Sequence, residues 1–114
     1  MNIIYKKGDL MKCEEKYILH GCNAQGVMGS GVAKIIRKKY PTAYTTYLAG
    51  LLQLGIVTYA RQDDGKTIFN LISQEFYGRD SSKIYVSYQA IEDGIQRINW
   101  WASNIPDVVI AMPK

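Results

Sequence analysis

The stretch Ile18-Leu-His-Gly-Cys-Asn-Ala-Gln-Gly-Val-Met-Gly-Ser-Gly-Val-Ala33 decides how this chain is read. An apolar run, Tyr17 to His20, has the character of a short strand and breaks into a loop with four glycines between Gly21 and Gly31. Val32, Ala33, Ile35, Ile36 and Tyr40 then recur at helical spacing until Pro41 ends the pattern. A strand, a glycine loop and a helix in this order bring backbone N–H groups to the helix start, where the macrodipole adds roughly half a positive charge. A phosphate or diphosphate is the natural guest of such a loop, with a plain structural turn as the alternative. No Gly-Lys-Ser/Thr follows, and glycines at 26, 29 and 31 do not make Gly-x-Gly-x-x-Gly. Nucleoside-triphosphate hydrolysis and dinucleotide redox chemistry are therefore unsupported.

Outward from the loop, Asn2 to Lys6 reads as a first strand stopped by Gly8. Thr42 to Leu52 reads as a second helix with Tyr44, Tyr47, Leu48 and Leu51 inward. Ile56–Ala60 and Thr67–Ile72 flank Asp64-Gly65, a hairpin signal. Ser73 to Lys83 reads as a loop, Tyr88 to Asn104 as a helix, and Asp107 to Met112 as an apolar and therefore central strand. Alternating strands and helices imply one α/β domain over residues 1–114, with a mixed sheet and ligands at the carboxyl ends of its strands.

Composition agrees with that class. The chain has 114 residues, 47% hydrophobic and 21% charged, and no apolar run reaches the roughly 18 residues of a membrane span. A net charge of +4 suits an anionic ligand, but the basic residues never form a block of more than three, so a phosphate-bearing small molecule is favoured over nucleic acid. Cys13 and Cys22 form no CxxC and, with His20 the single histidine, give no metal set; the expectations are a cytoplasmic setting, no cofactor and no metal.

The quoted stretch, with Gly8-Asp9-Leu10 before it, Tyr40-Pro41 after the first helix and Ala111-Met-Pro113 at the end, resembles the ADP-ribose-binding macrodomain. Within it, the chain is similar to the branch that contains the yeast ADP-ribose 1''-phosphate phosphatase and its phage and bacterial relatives. The resemblance implies a three-layer α/β/α fold that binds ADP-ribose at the strand ends, and hydrolysis of ADP-ribose 1''-phosphate to ADP-ribose and phosphate. A non-catalytic ADP-ribose-binding module and an ADP-ribosyl hydrolase acting on modified macromolecules are the rival functions.

It also implies residue roles. Asp9, in the turn with Gly8 and Leu10, would accept from the adenine amino group, or else cap its own backbone. Asn23, with Ala24, would contact the distal ribose, or else serve the turn. Met28, Gly29, Ser30, Gly31, Val32 and Ala33 would wrap the diphosphate, and Ser73, Gln74 and Tyr77 would close over the distal ribose. His20 would be general acid or nucleophile, or a structural histidine, and Asp80 a base or water positioner. The deglycosylase branch uses a lysine in the segment aligned with Ser73 to Glu75, and none stands here.

Macrodomains continue beyond the position of Met112-Pro113-Lys114 into a second glycine-rich loop, a helix and a last strand that lies between the first strand and the strand 107–112. Without that strand the sheet would carry two unpaired edges in its middle. Direct pairing of the first strand, exchange of elements in a homodimer, or a longer native product are the outcomes to be distinguished.

Overall fold

The computed structural model describes residues 1–29, 31–76 and 86–113. The elements run β1 (Asn2–Lys6), a 3₁₀ turn (Leu10–Lys12), β2 (Tyr17–Asn23), α1 (Gly31–Lys39), α2 (Pro41–Ala49), β3 (Val57–Arg61), β4 (Thr67–Gln74), α3 (Tyr88–Ala102) and β5 (Val109–Pro113). They form a five-stranded sheet in the order β1-β5-β2-β4-β3. β1, β5, β2 and β4 are parallel, and only β3, the partner of β4 across the Asp64-Gly65 hairpin, is antiparallel.

Parallel strands need crossovers, and crossovers place helices on the sheet faces. Helices α1 and α2 cover one face, where Ile18, Ile36, Tyr40, Ala43, Ile68 and Ala111 form a buried cluster, and Cys22, Met28, Tyr47 and Ile72 a second. α3 covers the other with Ile98 and Ala102 against Leu19, Phe69, Leu71 and Ile110. The three layers are thus helices, sheet and helix. Pro41 opens α2 at its first turn, and the Ser87 hydroxyl caps α3 by accepting from the Ala90 N–H at 3.1 Å.

Of the outcomes left open for the middle of the sheet, direct pairing is the one observed: β1 pairs with β5 from Asn2↔Val109 to Lys6↔Pro113. Three expectations are corrected. β2 does not stop at His20 but runs through Gly21 and Cys22 to Asn23. Gly21 is there for close packing rather than for a turn: a Cβ on it would lie 2.6 Å from the Ser73 hydroxyl. β4 likewise continues through Ser73 to Gln74. On the second helical segment Leu48 and Leu51 face outward, at 43% and 58% exposure, while Tyr47 and Ala43 turn inward.

The approach of α3 to the sheet is set by Gly94. A Cβ there would lie 2.3 Å from Leu71 Cδ1 and 2.4 Å from its Cγ. Gly94→Ala is therefore expected to destabilise the fold by about 1–2 kcal/mol, overpacking outweighing the gain in helix propensity. Denaturant unfolding checks this, and an unchanged or raised midpoint would contradict the close contact.

Candidate functional site

Because four strands are parallel, their carboxyl ends, Lys6, Pro113, Asn23 and Gln74, share one edge of the sheet. From that edge β2 sends the chain to the α1–α2 face and its neighbour β4 sends it toward the α3 face. Adjacent strands that diverge in this way open a crevice between their loops. The turn at Gly8-Asp9, the loop from Asn23 to Gly29, the start of α1 and the end of β4 all lie at this edge.

The end of β4 is bulged. Its register with β2 runs residue for residue to Cys22↔Ile72 and then shifts, so that Asn23 faces Gln74 and Ser73 is the extra residue. Three bonds tie the rims together beyond the bulge: Ala24 N–H is shared between the carbonyls of Gln74 at 2.9 Å and Glu75 at 3.3 Å, and the Gln25 side-chain amide donates to the Glu75 carbonyl at 3.1 Å.

Asn23 holds the glycine loop in shape. Its Oδ1 accepts from the N–H groups of Gln25 at 3.0 Å and Val27 at 3.3 Å, and its Nδ2 donates to the Val27 carbonyl at 2.8 Å. From α2, the buried Tyr47 hydroxyl reaches the Asn23 carbonyl, lies 3.0 Å from Oδ1, and accepts from the Gly26 N–H at 3.1 Å. Burial pushes the Tyr47 phenol up to about 12, so it stays a donor. Tyr44 adds a bond to the Gly26 carbonyl at 3.2 Å. Gly26 itself is at φ +78°, and a Cβ there would press on Leu48 Cδ2 at 3.1 Å. Only glycine fits this position without strain.

The sequence signalled Tyr44 and Tyr47 as a buried helical pair, but nothing in their spacing marked the hydroxyls as the loop's clamp. The Asn23 amide bonds within the turn, and the residue is 8% exposed. Asp9 combines two features. Its Oδ1 caps the 3₁₀ turn by accepting from Met11 N–H at 2.9 Å, and the residue is otherwise exposed. Gly8 beside it takes φ +82°.

The other expected residues divide clearly. Gly29 and Gly31 are exposed, and Gly31, at φ +60°, begins α1. The first N–H groups of a helix have no partner within it, so Gly31, Val32 and Ala33 present donors at the crevice. Leu10 and Met28 are core residues, at 4% and 1% exposure, which leaves them only backbone to offer a ligand. Ser73 is buried in the bulge, Ala24 is half-buried, and Gln74 donates to the Phe76 carbonyl at 2.7 Å. Ser30, Tyr77 and Asp80 lie outside the described residues.

His20 ends up within the body of the fold. Its ring does not point at the glycine loop but is buried under α2, at 1% exposure. Asn70 Nδ2 donates to the Ala43 carbonyl at 3.0 Å and to Thr58 Oγ1 at 3.2 Å, so its Oδ1 is left to accept, at 2.6 Å, from His20 Nε2–H. The network thereby sets the tautomer, and the Cys22 sulfur lies against the ring, 3.7 Å from Nε2 and 3.8 Å from Nδ1. Desolvation lowers the imidazole pKa to about 4, and the ring is neutral near pH 7. Burial also pushes the Cys22 thiol up, which removes thiolate character. Among the described residues no His, Cys, Asp and Glu group has the arrangement of a metal site, and no helix is long and apolar enough to cross a membrane. A separate open depression on α3 is lined by Asp93, Gln96, Arg97 and Trp100, none of them an expected site residue.

This geometry can be set beside known proteins. A macrodomain protein from Streptomyces coelicolor superposes on 99% of this chain and 78% of its own, with a TM-score of 0.76 and 24% identity. The fold is that of a macrodomain. Curated proteins also share sequence with this chain. The DNA ADP-ribosyl glycohydrolase of Mycobacterium tuberculosis is 27% identical over 97 residues, 79% of this chain and 28% of that protein. An ADP-ribose 1''-phosphate phosphatase of Scheffersomyces stipitis is 41% identical over 51 residues, 40% of this chain and 30% of that protein. The chain thus spans less than a third of the length of either curated relative. No family model matches the sequence.

Two outcomes follow for this macrodomain fold. Tyr47→Phe leaves the Asn23 carbonyl and the Gly26 N–H short of a partner, and should cost about 1–3 kcal/mol by denaturant unfolding. An unchanged midpoint would contradict the clamp. For His20, the folded pKa lies below the unfolded value, so the unfolded chain binds the extra proton. Its contribution is present above pH 6.5 and is lost as pH falls toward about 4. Unfolding at a series of pH values should show stability falling across this window, and His20→Gln should flatten the slope. An equal slope in both proteins would contradict a buried neutral imidazole.

Proposed function

We propose that this chain binds ADP-ribose and its 1''-linked derivatives at the carboxyl edge of the parallel strands. The observation that carries the reading is the meeting there of the exposed Gly8-Asp9 turn, the Asn23-braced glycine loop and the open start of α1. Gly29 and the N–H groups of Gly31 to Ala33 would take the diphosphate, and the free side of Asp9 the adenine. The distal ribose would then lie over the loop at Asn23-Ala24 and the bulge at Ser73-Gln74. The names of both curated relatives contain ADP-ribose chemistry, which supports the same ligand.

Binding without turnover is the form of this function that the geometry favours. The 41% identity to the phosphatase supports hydrolysis of the 1''-phosphate, yet His20, the expected catalyst, is neutral and sealed beneath α2. Hydrolysis of an ADP-ribosyl bond is the second reading, favoured by the match to the glycohydrolase over 79% of the chain. Gln74, at the end of β4, stands in the segment where the deglycosylase resemblance calls for lysine, and it has no nucleophilic amine. A reducing, cytoplasmic setting is part of this proposal, in keeping with the free thiols of Cys13 and Cys22.

Calorimetric titration with ADP-ribose, run beside a phosphate-release assay on the 1''-phosphate, tests the proposal. Wild type should bind, Asp9→Ala should weaken binding about tenfold through loss of the adenine contact, and no phosphate should appear. Absence of binding by a folded protein would overturn the site. Phosphate release that His20→Gln abolishes without unfolding the protein would overturn the binding-only form.

A further inference from the structure

The charge of this molecule is concentrated on one helix. α1 carries Lys34, Arg37, Lys38 and Lys39 and no acid, a charge of +4 that equals that of the whole chain; elsewhere ten basic residues offset ten acidic ones. No acidic residue occurs anywhere from 16 to 62.

All four cations of α1 are exposed. Among the described residues the one ion pair is Lys6 with Glu15 at 3.0 Å, far along the chain from α1. Lys34, Arg37 and Lys38 follow the spacing of a single helix face, and Lys34 to Lys38 advances about 6 Å along the axis. Arg37 is held in place by the Tyr44 ring, with its guanidinium carbon 4.3 Å from the centroid. Cations in the last turn of a helix are stabilised by its dipole, which accounts for Arg37, Lys38 and Lys39 on structural grounds alone. Lys34 is not explained in this way. It stands about one turn from the helix start, where the dipole repels a cation and an anion is welcome.

The geometry points to α1 as a docking rail for the phosphodiester backbone of a nucleic-acid strand, alongside the crevice at its start. This inference rests on the proposed ADP-ribose site and extends it: the ADP-ribosyl group would enter at Gly31 while the strand that bears it runs along Lys34, Arg37 and Lys38. Three exposed cations in a row, without an acidic partner among the described residues, meet successive phosphates and read no sequence, so recognition is electrostatic and indifferent to base identity. An anionic lipid surface is the lesser fit, since Ile35 is the one exposed large apolar residue that α1 brings to its outer side.

The test uses a fluorescent, unmodified 20-nucleotide single-stranded DNA and follows its binding by anisotropy between 50 and 200 mM salt. With three phosphate contacts, affinity should fall roughly 20-fold across that range. Lys34→Gln/Lys38→Gln should lose about tenfold in affinity at low salt and about two thirds of the salt dependence, with thermal unfolding and ADP-ribose affinity retained. No oligonucleotide binding at 50 mM salt, or equal binding by the variant, would overturn the rail. So would binding to phosphatidylglycerol vesicles in place of the oligonucleotide. Oligonucleotide binding that depends on these lysines in a protein that ignores ADP-ribose would support the rail while overturning the ADP-ribose site.

Discussion

Parallel pairing of β2 on both of its sides, to β5 and to β4, is the constraint on which the rest of the molecule depends. A parallel pair cannot be closed by a hairpin, so each neighbour must return through a helix packed on a face. That requirement produces the layers: α1 and α2 on one side, α3 on the other, and strands buried on both faces. It also gathers the carboxyl ends of four strands at one edge. The crevice is thus a consequence of topology before any side chain is specified.

Side chains then decide which kind of crevice it is. The loop after β2 is shaped by Asn23 from within and by Tyr44 and Tyr47 from α2, with Gly26 as the position where no Cβ fits. Their polar groups are spent on one another, which leaves the exposed backbone from Gly29 into α1 as the surface offered to a ligand. A loop braced in this way costs little further entropy when an anion settles on it. The same bracing separates His20 from the crevice, because the histidine belongs to the network beneath α2 that joins β2, β3 and β4 through Asn70 and Thr58.

Much of the fold was legible in the residues because local and tertiary signals agree. β1 ends where Gly8 breaks the strand, Asp64-Gly65 closes the β3–β4 hairpin, and the apolar strand ending at Met112-Pro113 takes a central place between β1 and β2. The misreadings share one cause. Gly21 reads as a turn residue, yet it is not at positive φ and sits inside a strand to admit Ser73. Leu48 and Leu51 read as buried by spacing, but Ala43 and Tyr47 take the inward places on that segment. Gly94 packing on Leu71 and the burial of His20 are likewise properties of contacts between distant segments. The site was legible as a location and as a backbone-donor chemistry; the division of its polar groups between loop and ligand was not, since Asn23 has the same composition in either role.

Amide-resolved NMR during titration with ADP-ribose tests the central claim most directly. Binding at the carboxyl edge should shift the amides of Gly8, Asp9, Ala24 to Gly29 and Gly31 to Ala33, and leave Asp93 to Trp100 on α3 in place. Shifts centred on that α3 depression, with the glycine loop unmoved, would contradict it.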